Sequence, residues 1–359
     1  MRLNVMAITL CAAAVCAQQS VAETSEVWFL NWSDYIDPSV TESFKAGHGQ
    51  NVEIEQYGEA NVAESRLSAK GTGYDLAVIS AESVARLAET GALKRLDMSL
   101  APNTAALDRE LWDLFLSSMP QAGGYAVPYL WGTTGLAFDR EAVAERLPGV
   151  ATDSWSLIFD PENAAKLADC GIVIADSSEE VVAIALAYLG KDPHSRAPED
   201  IDAAFDVLAG IAPYVRSFDS TLYDGIGNEE MCAALSWSTE ALTPIMEELT
   251  DRFEFVLPKE GANLWVDVFV MPVDAQNETG AMQFLNHVIS PKNLTLSAVY
   301  NSGAIAAPIT LELVDWEAYD VPALTLPPEV RENLFFVSDR SIEQKRALER
   351  RWRLMQVGF

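Results

Sequence analysis

The 359-residue sequence predicts an α/β protein of two units, each a sheet covered by helices. Three observations lead there. Strand-like and helix-like runs alternate from residue 27 to residue 90 with short turns between them. A proline- and glycine-bearing segment, residues 125–135, interrupts the pattern. The alternation then restarts at Ile172.

Residues 27–31 read as the first strand. Asp37 and Pro38 follow as a cap and a proline at the first helical position, opening a helix that runs toward Gly47. Val52 and Ile54 alternate in a second strand, and residues 59–70 have helical spacing. Residues 74–79 form the next strand, and residues 82–90 a helix stopped by Gly91. This order predicts a largely parallel sheet, with residues 125–135 as an extended crossover between units. Beyond it the pattern gives a strand at 172–175, helices at 179–190 and 199–211, and a strand at 232–237. A helix at 240–252, an extended stretch at 253–258, a strand at 264–271 and a helix at 276–290 complete it. Ser341, with Gln344 three residues on, starts the last helix with a capping box.

Residues 1–22 read as a secretory leader: Arg2, an apolar run over 5–17, and Ser20-Val21-Ala22 as a small-residue cleavage site. The run is too short for an ordinary membrane span, and no later one approaches the required ~20 apolar residues. A soluble exported protein follows. Outside the leader only Cys170 and Cys232 remain, and an even pair in an exported chain reads as a disulfide, against two buried free thiols. The net charge of -29, with 24 basic residues in no dense run, argues against nucleic acid. It suits a solubilising acidic surface that also attracts cations.

The chemistry concentrates where tryptophan stands beside a carboxylate. Trp32 precedes Asp34 by two residues, Trp237 precedes Glu240 by three, and Trp265 precedes Asp267 by two. Aromatic faces attract cations through their quadrupole and carboxylates by charge, so three such pairs in one cleft would hold an organic cation. Strand alternation puts Trp265, Asp267 and Phe269 on one face. A structural ion pair would also explain Asp267, yet no basic residue occurs between Lys259 and Lys292. Glu240 and Glu180 have plain readings as acids in a first helical turn, Glu180 within the capping-box pattern that starts at Ser177. Asp34 suits a turn. His48, His194 and His287 are scattered, and no HExxH, GxSxG, Walker loop or GxGxxG occurs, so neither catalysis nor a cofactor or metal is expected.

Several stretches resemble periplasmic polyamine-binding proteins, the putrescine-binding branch most closely. They are Asn31-Trp32-Ser33-Asp34-Tyr35-Ile36, Tyr74-Asp75-Leu76-Ala77-Val78 followed by Ser80, and Pro128-Tyr129-Leu130-Trp131-Gly132-Thr133-Thr134-Gly135. Tyr188-Leu189-Gly190-Lys191-Asp192-Pro193 and Pro258-Lys259-Glu260-Gly261-Ala262, followed by Asp267-Val268-Phe269, extend the likeness over nearly the whole mature chain. The resemblance implies a type II periplasmic binding fold of two lobes, residues 23–131 with 254–302 and residues 132–253 with 303–359. It also implies a monomer that docks on an inner-membrane ABC permease.

By the same resemblance, Trp32, Ser33, Asp34 and Tyr35 fall on the first binding loop and Ser80 on the second. Glu180 is the acid of the second lobe, Trp237 the aromatic wall, Trp265 a further aromatic, Asp267 the principal ammonium anchor and Tyr300 a tyrosine near the far end. Cys170 and Cys232 fall on the family's disulfide positions. Three residues depart from the family pattern: Glu240 replaces an aspartate, Trp265 a phenylalanine, and Glu82 stands where a small or neutral residue is usual. Putrescine is the expected ligand, with spermidine, agmatine and cadaverine as alternatives. A polyamine sensor, and a binder of another solute on this fold, are the rival readings.

Overall fold

The computed structural model describes residues 26–219, 231–246, 252–301, 304–305, 321–337 and 340–358. The expected leader lies outside them. Among the described residues twelve strands follow in chain order: β1 Glu26–Trp32, β2 Asn51–Tyr57, β3 Leu76–Ser80, β4 Leu93–Lys94, β5 Ala126–Asp139 and β6 Ile172–Ile174. The rest are β7 Val215–Phe218, β8 Ala233–Trp237, β9 Phe253–Val256, β10 Ala262–Pro272, β11 Ala304–Ile305 and β12 Leu334–Phe335. They join in the order β2-β1-β3-β10-β5-β8-β6-β7, with β4 and β12 on β10, and β9 and β11 on β5.

The sheet is mixed rather than largely parallel. Its flanks, β2-β1-β3 and β8-β6-β7, are parallel, as βα alternation requires. Its centre is antiparallel: β10 opposes both β3 and β5, and β5 opposes β8 and β9. The expected crossover is in fact β5 itself, a 14-residue strand buried along its whole length. Its glycines fill a packing role rather than a turn role. A Cβ on Gly132 would strike the Trp265 indole and the Ser238 hydroxyl, and one on Gly135 would strike the Val256 carbonyl and the Phe255 ring. Pro128 lies where β5 carries one residue more than β10 between paired positions, an irregularity that tolerates a missing N–H.

Two hydrophobic cores lie along this sheet. Phe29, Phe44, Tyr129, Phe269 and Phe284 centre the first; Phe138, Trp155, Phe159, Ile184 and Trp352 centre the second. Helix Ile342–Val357 returns the chain to the second core through Leu348 and Trp352, and its Ser341–Gln344 capping box is present. Helix Pro38–His48 starts on the Asp37 cap as expected but ends at Gly49, whose φ of 72° closes it, not at Gly47. The helix expected over 240–252 begins earlier, as Ser238–Pro244; residues 247–251 lie outside the described residues. Cys170 and Cys232 are bonded, with Cα atoms 5.5 Å apart, and tie the loop before β6 to the start of β8.

Candidate functional site

Asp267 lies on β10 beside the strand irregularity and opposite Ser80 of β3. Only 6% of it is exposed. The Tyr35 hydroxyl donates to its Oδ2 at 2.6 Å, and Tyr35 is itself held by the Tyr129 hydroxyl, which donates to the Tyr35 carbonyl at 2.7 Å. Burial pushes the Asp267 carboxyl up to about 6, against the downward pull of Tyr35, Trp32 and Ser80. The same burial, with Asp267 beside it, raises the Tyr35 phenol well above its ordinary value. No cation pairs with Asp267 among the described residues.

Trp32 ends β1 over the Tyr57 ring, with centroids 4.4 Å apart, and Tyr57 is fixed by donating to the Val78 carbonyl at 2.8 Å. The Trp32 indole N–H faces Asp267 without reaching hydrogen-bond geometry. Ser33 and Asp34 are exposed in the following turn. The Ser33 N–H donates to the Tyr57 carbonyl at 3.0 Å, and Asp34 adopts a φ of 51°, a left-handed conformation that aspartate tolerates better than most residues. Glu82, on the turn after β3, is pushed up to about 7 by burial, with Glu179 and Asp267 adding to the rise.

Glu180 opens the second cluster. Its capping-box reading is overturned: Ser177 precedes helix Ser178–Tyr188 without a side-chain cap bond. The carboxylate instead accepts from the Trp237 indole at 2.8 Å, from the Thr134 hydroxyl and from the Asn263 amide. These donors come from β8, β5 and β10, so this acid of the second core is fixed by the central strands. It is 7% exposed, and no cation pairs with it among the described residues.

Trp265 joins the two clusters. It sits on β10 between Asn263, which touches Glu180, and Asp267. Its indole lies over Gly132 beside Ser238, the residue after Trp237, and its N–H has no acceptor among the described residues. Glu240 occupies the first turn of helix Ser238–Pro244. Tyr300 ends helix Pro291–Tyr300 and is 44% exposed.

Sequence reasoning missed Tyr57, Thr134 and Asn263 as members of this arrangement. Strand alternation carries the signal for Asn263, two and four residues before Trp265 and Asp267. For Tyr57 and Thr134 no local signal exists, because their roles depend on which strands become neighbours.

Residues 39–319 match the family model for bacterial extracellular solute-binding proteins. The putrescine-binding periplasmic protein PotF of Escherichia coli K12 is 34% identical over 352 residues, 96% of this chain and 95% of that protein. A putrescine/agmatine-binding protein of Pseudomonas aeruginosa is 30% identical over 351 residues, again 96% of this chain and 95% of the relative. Among solved structures, the spermidine/putrescine substrate-binding protein PotD of Streptococcus pneumoniae shares the fold, with a TM-score of 0.78 at 22% identity over 92% of this chain and 99% of that one. Among the described residues no helix is long and apolar enough to cross a membrane. With a matched model over most of its length and relatives spanning nearly all of it, the chain belongs to the bacterial extracellular solute-binding protein family.

Proposed function

We propose that this protein captures a polyamine in the periplasm, putrescine foremost and spermidine second, and hands it to an inner-membrane ABC importer. Residues 23–131 with 254–302, and 132–253 with 303–359, act as two lobes that close by a hinge in β5 and its neighbours. The role is transport rather than catalysis.

Asp267 is the observation that carries the reading. A carboxylate buried to this depth, bonded by neutral donors and by no cation among the described residues, is costly to ionise alone. A ligand ammonium relieves that cost. Glu180 offers the same arrangement at the other end, and its place in the first turn of its helix also favours negative charge there. Asn263, which touches Glu180, lies four residues from Asp267 on one strand, which spans about 13 Å. A four-carbon diamine has about 6 Å between nitrogens and adds ~2.8 Å of hydrogen bond at each end, so its length suits that span.

Trp32, Trp237 and Trp265 supply aromatic faces along the way, each worth up to ~2 kcal/mol against a desolvated cation. Ser33, Asp34, Tyr35, Ser80, Glu82, Glu240 and Tyr300 complete the proposed ligand shell. The cost of desolvating two ammonium groups leaves a net affinity on the order of micromolar or tighter. Relatives named for putrescine, and for putrescine and agmatine, support the same class.

Calorimetric titration with putrescine, spermidine, agmatine and cadaverine tests the reading; no heat from any of them at millimolar concentration removes it. A cation favours ionised carboxylates, so ligand binding should release protons where Asp267 and Glu82 titrate, near pH 6 and 7. Affinity should therefore rise from pH 5.5 to 7.5 and then level off. Heats measured in buffers of different ionisation enthalpy should diverge at pH 6.5 and converge at pH 8. Coincident heats at pH 6.5 would show that neither carboxyl meets the ligand.

A further inference from the structure

The acidic side chains of the site continue past Asp267. Glu82 lies close enough to both Asp267 and Glu179 to feel their charge, and Glu179 stands next to Glu180 at the start of its helix. At the outer edge of this row is Lys345, carried by the last helix. Its Nζ is 3.3 Å from Glu179 Oε2 and 3.8 Å from Glu64 Oε2, and its side chain is only 35% exposed.

Two arginines stand nearby, and Arg86 donates to the Glu82 backbone carbonyl at 3.0 Å. Arg86 is held by both carboxylate oxygens of Glu64, at 2.9 and 2.8 Å, and also donates to Ser83. Arg340, 3% exposed, donates to the Ser195 carbonyl at 3.3 Å, and reaches Glu179 only as a more distant charge beside Arg86. Among the described residues, Lys345 is the lysine whose ammonium lies within ion-pair distance of Glu179. Burial pushes the Glu179 and Glu82 carboxyls upward, and Lys345 pulls both back down.

Resting on the polyamine reading above, we propose that Lys345 is a specificity-determining residue: its ammonium occupies the outer cation position of the acidic row and so favours a diamine over a triamine. A diamine satisfies Asp267 and Glu180 with its two ends. A triamine is longer and brings a third ammonium, for which Glu82 and Glu179 are the acids that adjoin Asp267 and Glu180. There it meets a tethered positive charge already in place. Repulsion between two ammonium groups at such range changes an equilibrium by about tenfold or more in a partly buried site. A barrier against the wrong ligand yields selectivity without any added contact to the right one.

The test is Lys345→Met, with putrescine and spermidine dissociation constants measured by calorimetry on the full exported chain. The ratio of the spermidine constant to the putrescine constant should fall about tenfold, because spermidine gains. Loss of the tie between Glu64 and Glu179 as a merely structural link would move both constants together and leave the ratio alone. A change of less than threefold, or one in the opposite direction, overturns the proposal. Lys345→Arg keeps the charge and should keep the ratio near the wild-type value. Should Lys345→Met fail to fold, Glu179→Gln carries the test: it leaves the Lys345 charge less neutralised and should raise the ratio, and an unchanged ratio again overturns the proposal. Wild-type protein that binds no polyamine removes the broader reading, and this one with it; wild-type binding with an unmoved ratio removes this one alone.

Discussion

Asp267→Asn should weaken putrescine binding by thirtyfold or more at pH 8, while making the ligand-free protein more stable. The first effect follows from removing the buried carboxylate at that end of the proposed site: truncating one partner of a buried, hydrogen-bonded charge pair costs about 2–5 kcal/mol. The second follows from the cost that the charge imposes without a ligand. In the folded protein the carboxyl holds its proton up to about pH 6, against an ordinary value of 3.8. A folded-state pKa above the unfolded one contributes stability below the unfolded value, and that contribution is lost as pH rises through the folded value.

Wild-type protein therefore loses stability between about pH 4 and pH 6, on the order of 3 kcal/mol for a shift of this size. Asparagine retains an acceptor for the Tyr35 hydroxyl and carries no charge, so the variant escapes that loss. Denaturation of both proteins without ligand should give coincident stabilities near pH 3.5 and a more stable variant, by about 1–3 kcal/mol, at pH 8. A variant less stable at pH 8 would mean that Asp267 is held by a cation after all. Unchanged affinity with raised stability would place the ligand elsewhere.

Cys170→Ala combined with Cys232→Ala should lower the unfolding free energy by about 4 kcal/mol. The bond closes a stretch with a sequence separation of 62, and the loss of chain entropy from the unfolded state grows with the logarithm of that length. Replacing both cysteines avoids leaving a lone reactive thiol. The loss should fall on the second core, where the bond ties the loop before β6 to the start of β8, whose far end carries Trp237. Urea denaturation of the double variant and of reduced wild-type protein should agree. A loss below 1 kcal/mol in both would mean that native contacts across β6 and β8 hold this region without the link.

The strands and helices of the first unit were legible because each is set by its own few residues. Alternation marks β1 and β2, and Asp37 with Pro38 starts a helix whatever lies around it. In the 125–135 segment the extended backbone was legible, but the role of its glycines was not, for the opposite reason. Proline and glycine ordinarily punctuate loops, yet Gly132 and Gly135 are demanded by rings arriving from β10 and β9, more than 100 residues later in sequence. The same holds for Glu180. Locally it completes a capping pattern with Ser177; in the fold its carboxylate is taken by Trp237, Thr134 and Asn263.

Asp267 shows both sides at once. An acid on a half-apolar strand with no basic residue nearby in sequence already announces that its partner must come from a distance. That the near partners are a tyrosine hydroxyl from the loop after β1 and a serine on β3, and not a cation, depends on which strands pair with β10.

The sequence by itself determined the alternation of elements, the acidic character, the cysteine pair and the association of tryptophan with carboxylate. Each is a property of composition or of spacing within a few residues. Only the tertiary structure decided the antiparallel centre of the sheet, the donors around Glu180 and the position of Lys345 against Glu179. Those depend on side chains tens to hundreds of residues apart reaching hydrogen-bond or ion-pair distance, and such distances follow from the packing of two cores on one sheet.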